Sequence, residues 1–81
     1  MNIIPLANAS AGKQYRIQNI KDEARLVHRL SSMGLLCGTH LEVCQNLPKQ
    51  PVLVYARDTL VAIGREESKK ITLEENENES V

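Results

Sequence analysis

Apolar and polar residues alternate with a period of two near the start of the chain. In the segment Gln14–Ile20, the apolar residues Tyr15 and Ile17 are each flanked by polar ones. Because successive side chains of a strand point to opposite faces, this alternation places one apolar face against a core. The pattern predicts a half-buried strand. The preceding residues, 3–12, are interrupted by proline and glycine and predict an irregular opening, with Ile4 and Leu6 in the core.

The period then changes to that of a helix. Leu26, Leu30 and Met33 recur at i, i+4 and i+7, with Val27 beside them. This spacing puts the apolar side chains in one stripe along a helix surface. The pattern predicts an amphipathic helix over residues 22–33.

Both ends of this helix have capping signals. Asp22 is a suitable N-cap, and Gly34 suits the left-handed position that follows a helix. If Gly34 takes that position, Leu35 and Leu30 occupy the two positions whose hydrophobic contact accompanies a Schellman cap. The sequence therefore predicts an abrupt turn after Met33.

Short elements follow one another closely after Gly38. The predicted elements are, in order, a strand containing Leu41 and Val43, a strand at Val52–Ala56, a hairpin turn at 57–59 with Asp58 in an unusual backbone conformation, a strand at 60–63, a short helix at 64–70, and a strand containing Ile71 and Leu73. This order predicts a mainly β fold of about five strands, with one helix after the first strand and a short helix before the last. Short strands with short connections indicate a small closed barrel rather than a parallel sheet.

Size and composition agree with one small globular domain. The chain has 81 residues, of which 42% are hydrophobic, and its only aromatic residues are two tyrosines. No apolar stretch approaches the roughly 20 residues that a membrane span needs, and the N-terminus lacks the features of a signal peptide. Two cysteines are too few for a disulfide framework. We therefore expect a cytoplasmic protein with free thiols.

The net charge of zero averages two unlike parts. Four glutamates, Glu74, Glu75, Glu77 and Glu79, lie within the last eight residues. Without them the chain has ten basic and six acidic residues, a charge of about +4. We expect residues 1–73 to form the domain and residues 74–81 to form an acidic, disordered tail.

The sequence from Arg29 to Leu35, RLSSMGL, resembles a signature of the FeoA family. The residues that extend the resemblance are Leu6, Gly12, Gly38, Leu41, Val43, Pro48, Pro51, the run 60–63 and the run 71–73. It covers nearly the whole chain, from residue 3 to residue 73. Three positions depart from the family pattern: Gln50, Asp58 and Ser68.

This resemblance implies an SH3-like barrel with an inserted helix. It also implies a cytosolic, non-enzymatic accessory protein of ferrous iron uptake. Its expected partner is FeoB, the ferrous iron transporter with a GTP-hydrolysing cytosolic domain, so the membrane is reached only through the transporter. On this interpretation the chain is a monomer or weak oligomer without a cofactor.

Two alternatives remain open from the sequence. A similar barrel forms the C-terminal domain of metal-dependent repressors, so the chain can also be a stand-alone regulatory or peptide-binding module. A nucleic-acid-binding small barrel is disfavoured because only Tyr15 and Tyr55 are available for base stacking. Neither a phosphate-binding glycine loop nor a catalytic constellation is present, so we predict no catalytic residues.

One cluster has the chemistry of metal ligands. Cys37, His40 and Cys44 lie within eight residues, and thiolate and imidazole suit divalent transition metals. If Leu41 and Val43 point inward, His40 and Cys44 share the outward face of a strand. The spacing matches no recognised zinc pattern, so these residues are weak candidates beside a prediction of no metal site.

The predicted partner-binding surface is the end of the first helix and the turn after it. Lys21, Arg25 and Arg29 recur at i, i+4 and i+8 and form a basic ridge. Exposed apolar groups beside cations suit a protein partner. The predicted partner-binding residues are Arg25, Arg29, Met33, Leu35, Leu36 and Gly38.

Overall fold

The computed structural model describes residues 2–21 and 24–75, which form one antiparallel sheet with short helical elements. The elements are strand β1 (Ile3–Pro5), a 3-10 turn (Leu6–Asn8), strand β2 (Gln14–Ile20), helix α1 (Ala24–Ser32), strand β3 (His40–Gln45), strand β4 (Val52–Ala56), strand β5 (Thr59–Ile63), helix α2 (Arg65–Ser68) and strand β6 (Ile71–Glu75). The predicted mainly β class, with one helix after Gln14–Ile20 and a short helix before the last strand, is confirmed. None of the described helices is long and apolar enough to cross a membrane.

The strands lie in the order β1-β6-β2-β3-β4-β5, and every neighbouring pair is antiparallel. Alternate strand positions face inward, so Leu41 and Val43 of β3 are buried together with Val52 and Val54 of β4. The core is aliphatic except for Tyr15, whose hydroxyl accepts a hydrogen bond of 2.9 Å from the Ser10 N–H. That bond satisfies the one polar group on the largest buried side chain.

The sheet has six strands, one more than the sequence predicted. The extra strand is β1, in the opening that the sequence indicated to be irregular: Ile4 lies opposite Leu73 in β6. Leu6 is fully buried and Ile4 packs against the core, as expected. Pro5 ends β1, which suits an edge strand because proline cannot donate to a further neighbour.

Helix α1 ends with the predicted Schellman cap. The Leu35 N–H donates to the Leu30 carbonyl at 2.9 Å, and the Gly34 N–H donates to the Ser31 carbonyl at 3.0 Å. Gly34 has φ +83°, and Leu30 and Leu35 are both buried. The predicted N-cap, Asp22, lies outside the described residues.

The apolar stripe of α1 is narrower than predicted. Leu26 and Leu30 are buried, whereas Val27 and Met33 are exposed by 37% and 36%. Met33 lies beyond the last residue of the helix, in the turn, and therefore does not continue the stripe. The helix is attached to the sheet through few side chains, which leaves much of its surface open to solvent.

The domain extends two residues beyond the predicted boundary. Glu74 and Glu75 belong to β6 instead of a tail, and each is ion-paired within the sheet, Glu74 with Arg16 and Glu75 with Lys13. Asn2 also donates to Glu75, at 2.9 Å. The rest of the predicted tail, residues 76–81, lies outside the described residues.

Arg65 attaches helix α2 to two neighbouring connecting segments, the 3-10 turn after β1 and the β3–β4 connection. Its guanidinium donates hydrogen bonds to the Asn46 side chain at 2.8 Å and to the backbone carbonyls of Ala7, Leu47 and Gln50. The Asn46 amide donates in turn to the Ala7 and Ala9 carbonyls. One planar cation thus joins α2, the β1–β2 connection and the β3–β4 connection.

Candidate protein interface

The described surface has a shallow groove between the end of α1 and the tip of the β4–β5 hairpin, here called the hairpin groove. Its lining residues are Leu36, Cys37, Gly38, Thr39, His40 and Arg57. The groove encloses about 500 Å³ and continues past His40 and Arg57 into a second depression of about 350 Å³ along β3 and β4. Tyr55 and Asp58 lie in that second part.

The turn after the helix fixes one wall of the groove. The Leu36 N–H donates to the Thr39 hydroxyl at 3.0 Å, and the Thr39 N–H donates to the Leu36 carbonyl at 3.0 Å. Gly38, at φ +92°, donates to the Ile17 carbonyl at 2.7 Å and so ties the turn to β2. Because Leu35 points into the core, the next side chain, Leu36, points out and is 51% exposed.

Arg57 forms the opposite wall. Arg57 and Asp58 have φ of +53° and +61°, which is the conformation of a two-residue type I′ hairpin turn. The Arg57 side chain lies across Gly34: a Cβ placed there would be 2.8 Å from Arg57 Cδ and 2.9 Å from Nε. No ion pair or hydrogen bond of the guanidinium is found within residues 2–21 and 24–75. A cation without a partner among the described residues therefore borders the groove.

The structure places most of the predicted partner-binding residues at the surface. Arg25, Arg29, Met33, Leu36 and Gly38 are exposed. Leu35 is an exception: it is 1% exposed, because the helix cap draws it into the core, and it cannot contact a partner. The sequence prediction was wrong for that residue.

Arg29 is engaged within the chain. Its guanidinium is ion-paired with Glu67 of α2, and the same carboxylate accepts a hydrogen bond of 3.3 Å from the Gly64 N–H. Arg29 therefore links the two helices in addition to lying on the basic ridge. Because Arg29 is paired with Glu67, the basic ridge has less positive charge available to a partner than the sequence spacing indicated.

The structure does not assemble the metal-ligand candidates. Cys37 and His40 line the hairpin groove, while Cys44 does not. Leu41 and Val43 point inward, and Cys44 lies at a register shift between β3 and β4. In the part of the chain that is described, no group of three His, Cys, Asp or Glu side chains is arranged to hold a metal ion.

Sequence reasoning missed Arg57 and Tyr55 as surface-forming residues of this site. Both are remote in sequence from α1, and only the fold brings the hairpin tip to Gly34. The usable signal was the two-residue turn itself, because a tight hairpin projects its central side chains away from the sheet. Nothing in the sequence showed which helix that tip would meet.

Comparison with known proteins identifies the family. The family model described as "FeoA domain" matches residues 4–75. The chain belongs to the FeoA family. A curated FeoA-like relative, named "Putative Fe(2+) transport protein A" in Methanocaldococcus jannaschii, is 34% identical over 73 residues, covering 90% of this chain and 88% of the relative.

Solved structures agree with the FeoA assignment. The crystal structure of an iron uptake regulatory protein (FeoA) superposes with a TM-score of 0.84 at 23% identity, over 90% of this chain and 97% of that one. The solution structure of the Chlorobium tepidum FeoA protein gives a TM-score of 0.82 at 26% identity, over 90% and 70% of the two chains. These neighbours confirm the SH3-like fold that the resemblance implied.

A second group of similar structures consists of parts of larger proteins. A manganese-dependent transcriptional repressor in complex with manganese superposes with a TM-score of 0.84 at 15% identity. The match covers 93% of this chain and 37% of the repressor. At that identity the likeness shows a shared fold alone.

Proposed function

We propose that this FeoA-family chain is a non-enzymatic, cytoplasmic accessory protein of ferrous iron uptake. It binds the cytosolic, GTPase-containing part of a FeoB-type transporter and modulates its activity or assembly. Membership of the family and the name of the curated relative support the link to ferrous iron transport. The protein acts by binding alone and meets the membrane only through the transporter.

The observation that supports a docking role is the composition of the hairpin groove. Leu36 projects from its wall with half of its surface exposed, and the guanidinium of Arg57 is nearby without an internal partner among the described residues. Arg25 and Met33 extend the exposed surface along α1. An apolar group beside a cation that has no partner among the described residues suits a protein surface that is apolar at its centre and acidic at its edge.

The test is an NMR titration of the labelled protein with the soluble cytosolic domain of its own organism's transporter. We expect shifts at Arg25, Arg29, Met33, Leu36 and Gly38, and at the hairpin tip. Leu36→Asp should abolish these shifts without unfolding the protein. Leu47→Asp is the matched control, because Leu47 is similarly exposed, at 46%, but lies in the β3–β4 connection, away from the hairpin tip.

A flat titration, with and without guanine nucleotide, would contradict this proposal. So would unchanged binding by a folded Leu36→Asp variant. The second candidate function is a stand-alone regulatory or peptide-binding module, for which the observation is the open hairpin groove; the fold shared with the manganese-dependent repressor is compatible with it. That alternative would be supported if the transporter domain does not bind but an extended peptide shifts the NMR signals of the hairpin groove.

A further inference from the structure

Strand β5 is an edge of the sheet. In the strand order β1-β6-β2-β3-β4-β5 it has β4 as its one neighbour. The two strands are in continuous register from the pair Ala56–Thr59 to the pair Val52–Ile63, without a bulge. One side of β5 is therefore open along its whole length.

The hairpin turn determines which backbone groups face that open side. In a type I′ turn the Ala56 carbonyl accepts a hydrogen bond from the Thr59 N–H, and bonded and non-bonded pairs then alternate along an antiparallel ladder. Leu60 and Ala62 consequently fall at non-bonded positions relative to β4, so their N–H and C=O groups point outward. Within residues 2–21 and 24–75, no hydrogen bond from these outward groups to another segment is found.

The β5 edge lacks the devices that usually protect an exposed strand. The sequence TLVAI has no charged residue, proline or glycine, and Leu60 is 59% exposed. The opposite edge, β1, is only three residues long and ends in Pro5. An unblocked edge with exposed apolar side chains is a template for another strand.

We infer that β5 is a self-association site, at which two copies of this chain pair antiparallel through a two-fold axis at Val61. In that register Leu60 of one copy lies opposite Ala62 of the other. Both residues have outward-facing backbone groups, so each of the two pairs exchanges two hydrogen bonds and all four outward N–H groups find acceptors. A register displaced by two residues would pair Leu60 with itself and would place Ala62 opposite the turn residue Asp58, which leaves fewer bonds.

A second copy fits this edge better than a charged partner segment does. Residues Thr59–Ile63 contain no ionisable group, so pairing two copies desolvates no charge, and the edge offers nothing that selects an acidic or basic strand. The net charge of the whole chain is zero, so two copies do not repel each other at long range. Leu60 is also continuous with exposed Tyr55, which lies opposite it in β4 and would widen the apolar contact.

Concentration-dependent amide exchange tests this inference. At low concentration the Leu60 and Ala62 amides should exchange rapidly, while the Val61 amide, bonded to β4, should be protected. Raising the protein to millimolar concentration should protect Leu60 and Ala62, and sedimentation equilibrium should show a monomer–dimer equilibrium. A sample mixing two isotope labels should give contacts between Leu60 of one copy and Ala62 of another.

Two variants distinguish strand pairing at the β5 edge from non-specific hydrophobic association. Leu60→Lys introduces a charge at the edge and should weaken dimerisation by on the order of tenfold or more. Ala62→Pro removes an outward N–H without removing a bond to β4 and should have the same effect. Leu47→Lys, an exposed leucine away from the edge, should leave the dimer unchanged.

A chain that remains monomeric at millimolar concentration, with Leu60 and Ala62 amides that exchange rapidly throughout, would overturn the inference. Protection of these amides only on addition of the transporter domain would also overturn it, because β5 would then pair with a strand of the transporter domain and not with a second copy. Transporter binding that persists in Leu60→Lys, with loss of the dimer, would show that the two surfaces are separate.

Discussion

The side chain of Arg57, at the tip of the β4–β5 hairpin, lies across Gly34, in the turn that follows helix α1. The contact is close enough that a methyl group at Gly34 would be 2.8 Å from Arg57 Cδ. Glycine suits this position because its backbone is in the left-handed conformation, and the passage of Arg57 over it shows how near the two segments lie. Through this contact the helix end and the hairpin tip form one continuous surface.

Gly34→Ala and Gly38→Ala should destabilise the protein to a similar degree. At Gly38 a new methyl group meets no atom within 4 Å, so only backbone strain remains, about 1–2 kcal/mol. At Gly34 the same strain applies, and the atoms nearest a new methyl group belong to the exposed, flexible Arg57 side chain, which can move aside at little cost. Urea unfolding measures both differences. Arg57→Ala in the Gly34→Ala background should recover little of the loss, and a loss at Gly34 several times that at Gly38 would contradict this account.

Truncation should destabilise the protein at Leu35 but hardly at all at Leu36. Leu35 is buried beneath the helix cap, so Leu35→Ala should lower the free energy of unfolding by about 2–5 kcal/mol. Leu36 is half exposed, so Leu36→Ala should change it by no more than about 0.5 kcal/mol. The measurement is chemical denaturation of both variants. A Leu36→Ala protein as unstable as Leu35→Ala would show that Leu36 is not free for a partner.

The neighbouring leucines show how far the sequence could predict this molecule. The cap at Gly34 was predictable because its signals are local: a glycine after the stripe, with leucines at the two positions that touch. The same motif already placed Leu35 inside, yet the sequence also suggested Leu35 for the surface, because it did not show how much volume the core had left. Strand β1 and the position of Arg57 depend on long-range pairing, which leaves no periodic signal in so short a segment.

Arg65 should be the most important charged residue for stability among those described at the α2 end of the sheet. Its guanidinium donates to Asn46 and to three backbone carbonyls. Arg65→Ala would leave the Asn46 side-chain oxygen and the Gln50 carbonyl without this donor, while the Ala7 and Leu47 carbonyls would keep those of Asn46 and Gln50. We expect a loss of about 2–4 kcal/mol, because hydrogen bonds from charged donors are stronger than neutral ones. Arg65→Lys should recover only part of it, since lysine lacks the planar fork.

The matched control for Arg65 is Lys69, which also lies at α2. It forms an exposed ion pair with Glu66 at 3.2 Å, and such pairs contribute about 0–1 kcal/mol. Lys69→Ala should therefore unfold at nearly the urea concentration of the unmodified protein. A loss as large as that of Arg65→Ala would mean that the stability of α2 depends on charge in general and not on the Arg65 hydrogen bonds.

Acid should weaken the attachment of β6 through Glu75. The hydrogen bond from Asn2, followed by the hydrogen bond and charge of Lys13, lowers the pKa of Glu75 below its ordinary value of 4.5. Because the folded state favours the ionised carboxylate, its stabilising contribution is complete above the pKa of the unfolded chain. That contribution is lost as the pH falls through the lowered pKa of the folded state.

An NMR pH titration of the Glu75 side-chain carboxyl carbon measures this directly. We expect its midpoint below the ordinary value, and Asn2→Ala and Lys13→Gln should each move the midpoint upward. Lys69→Gln removes a cation that contacts a different glutamate and should leave the Glu75 midpoint unchanged. A Glu75 that titrates at its ordinary value in the unmodified protein would show that its bonds to Asn2 and Lys13 do not persist in solution. Glu75, which the sequence suggested for a tail, would then add little to the attachment of β6 to the sheet.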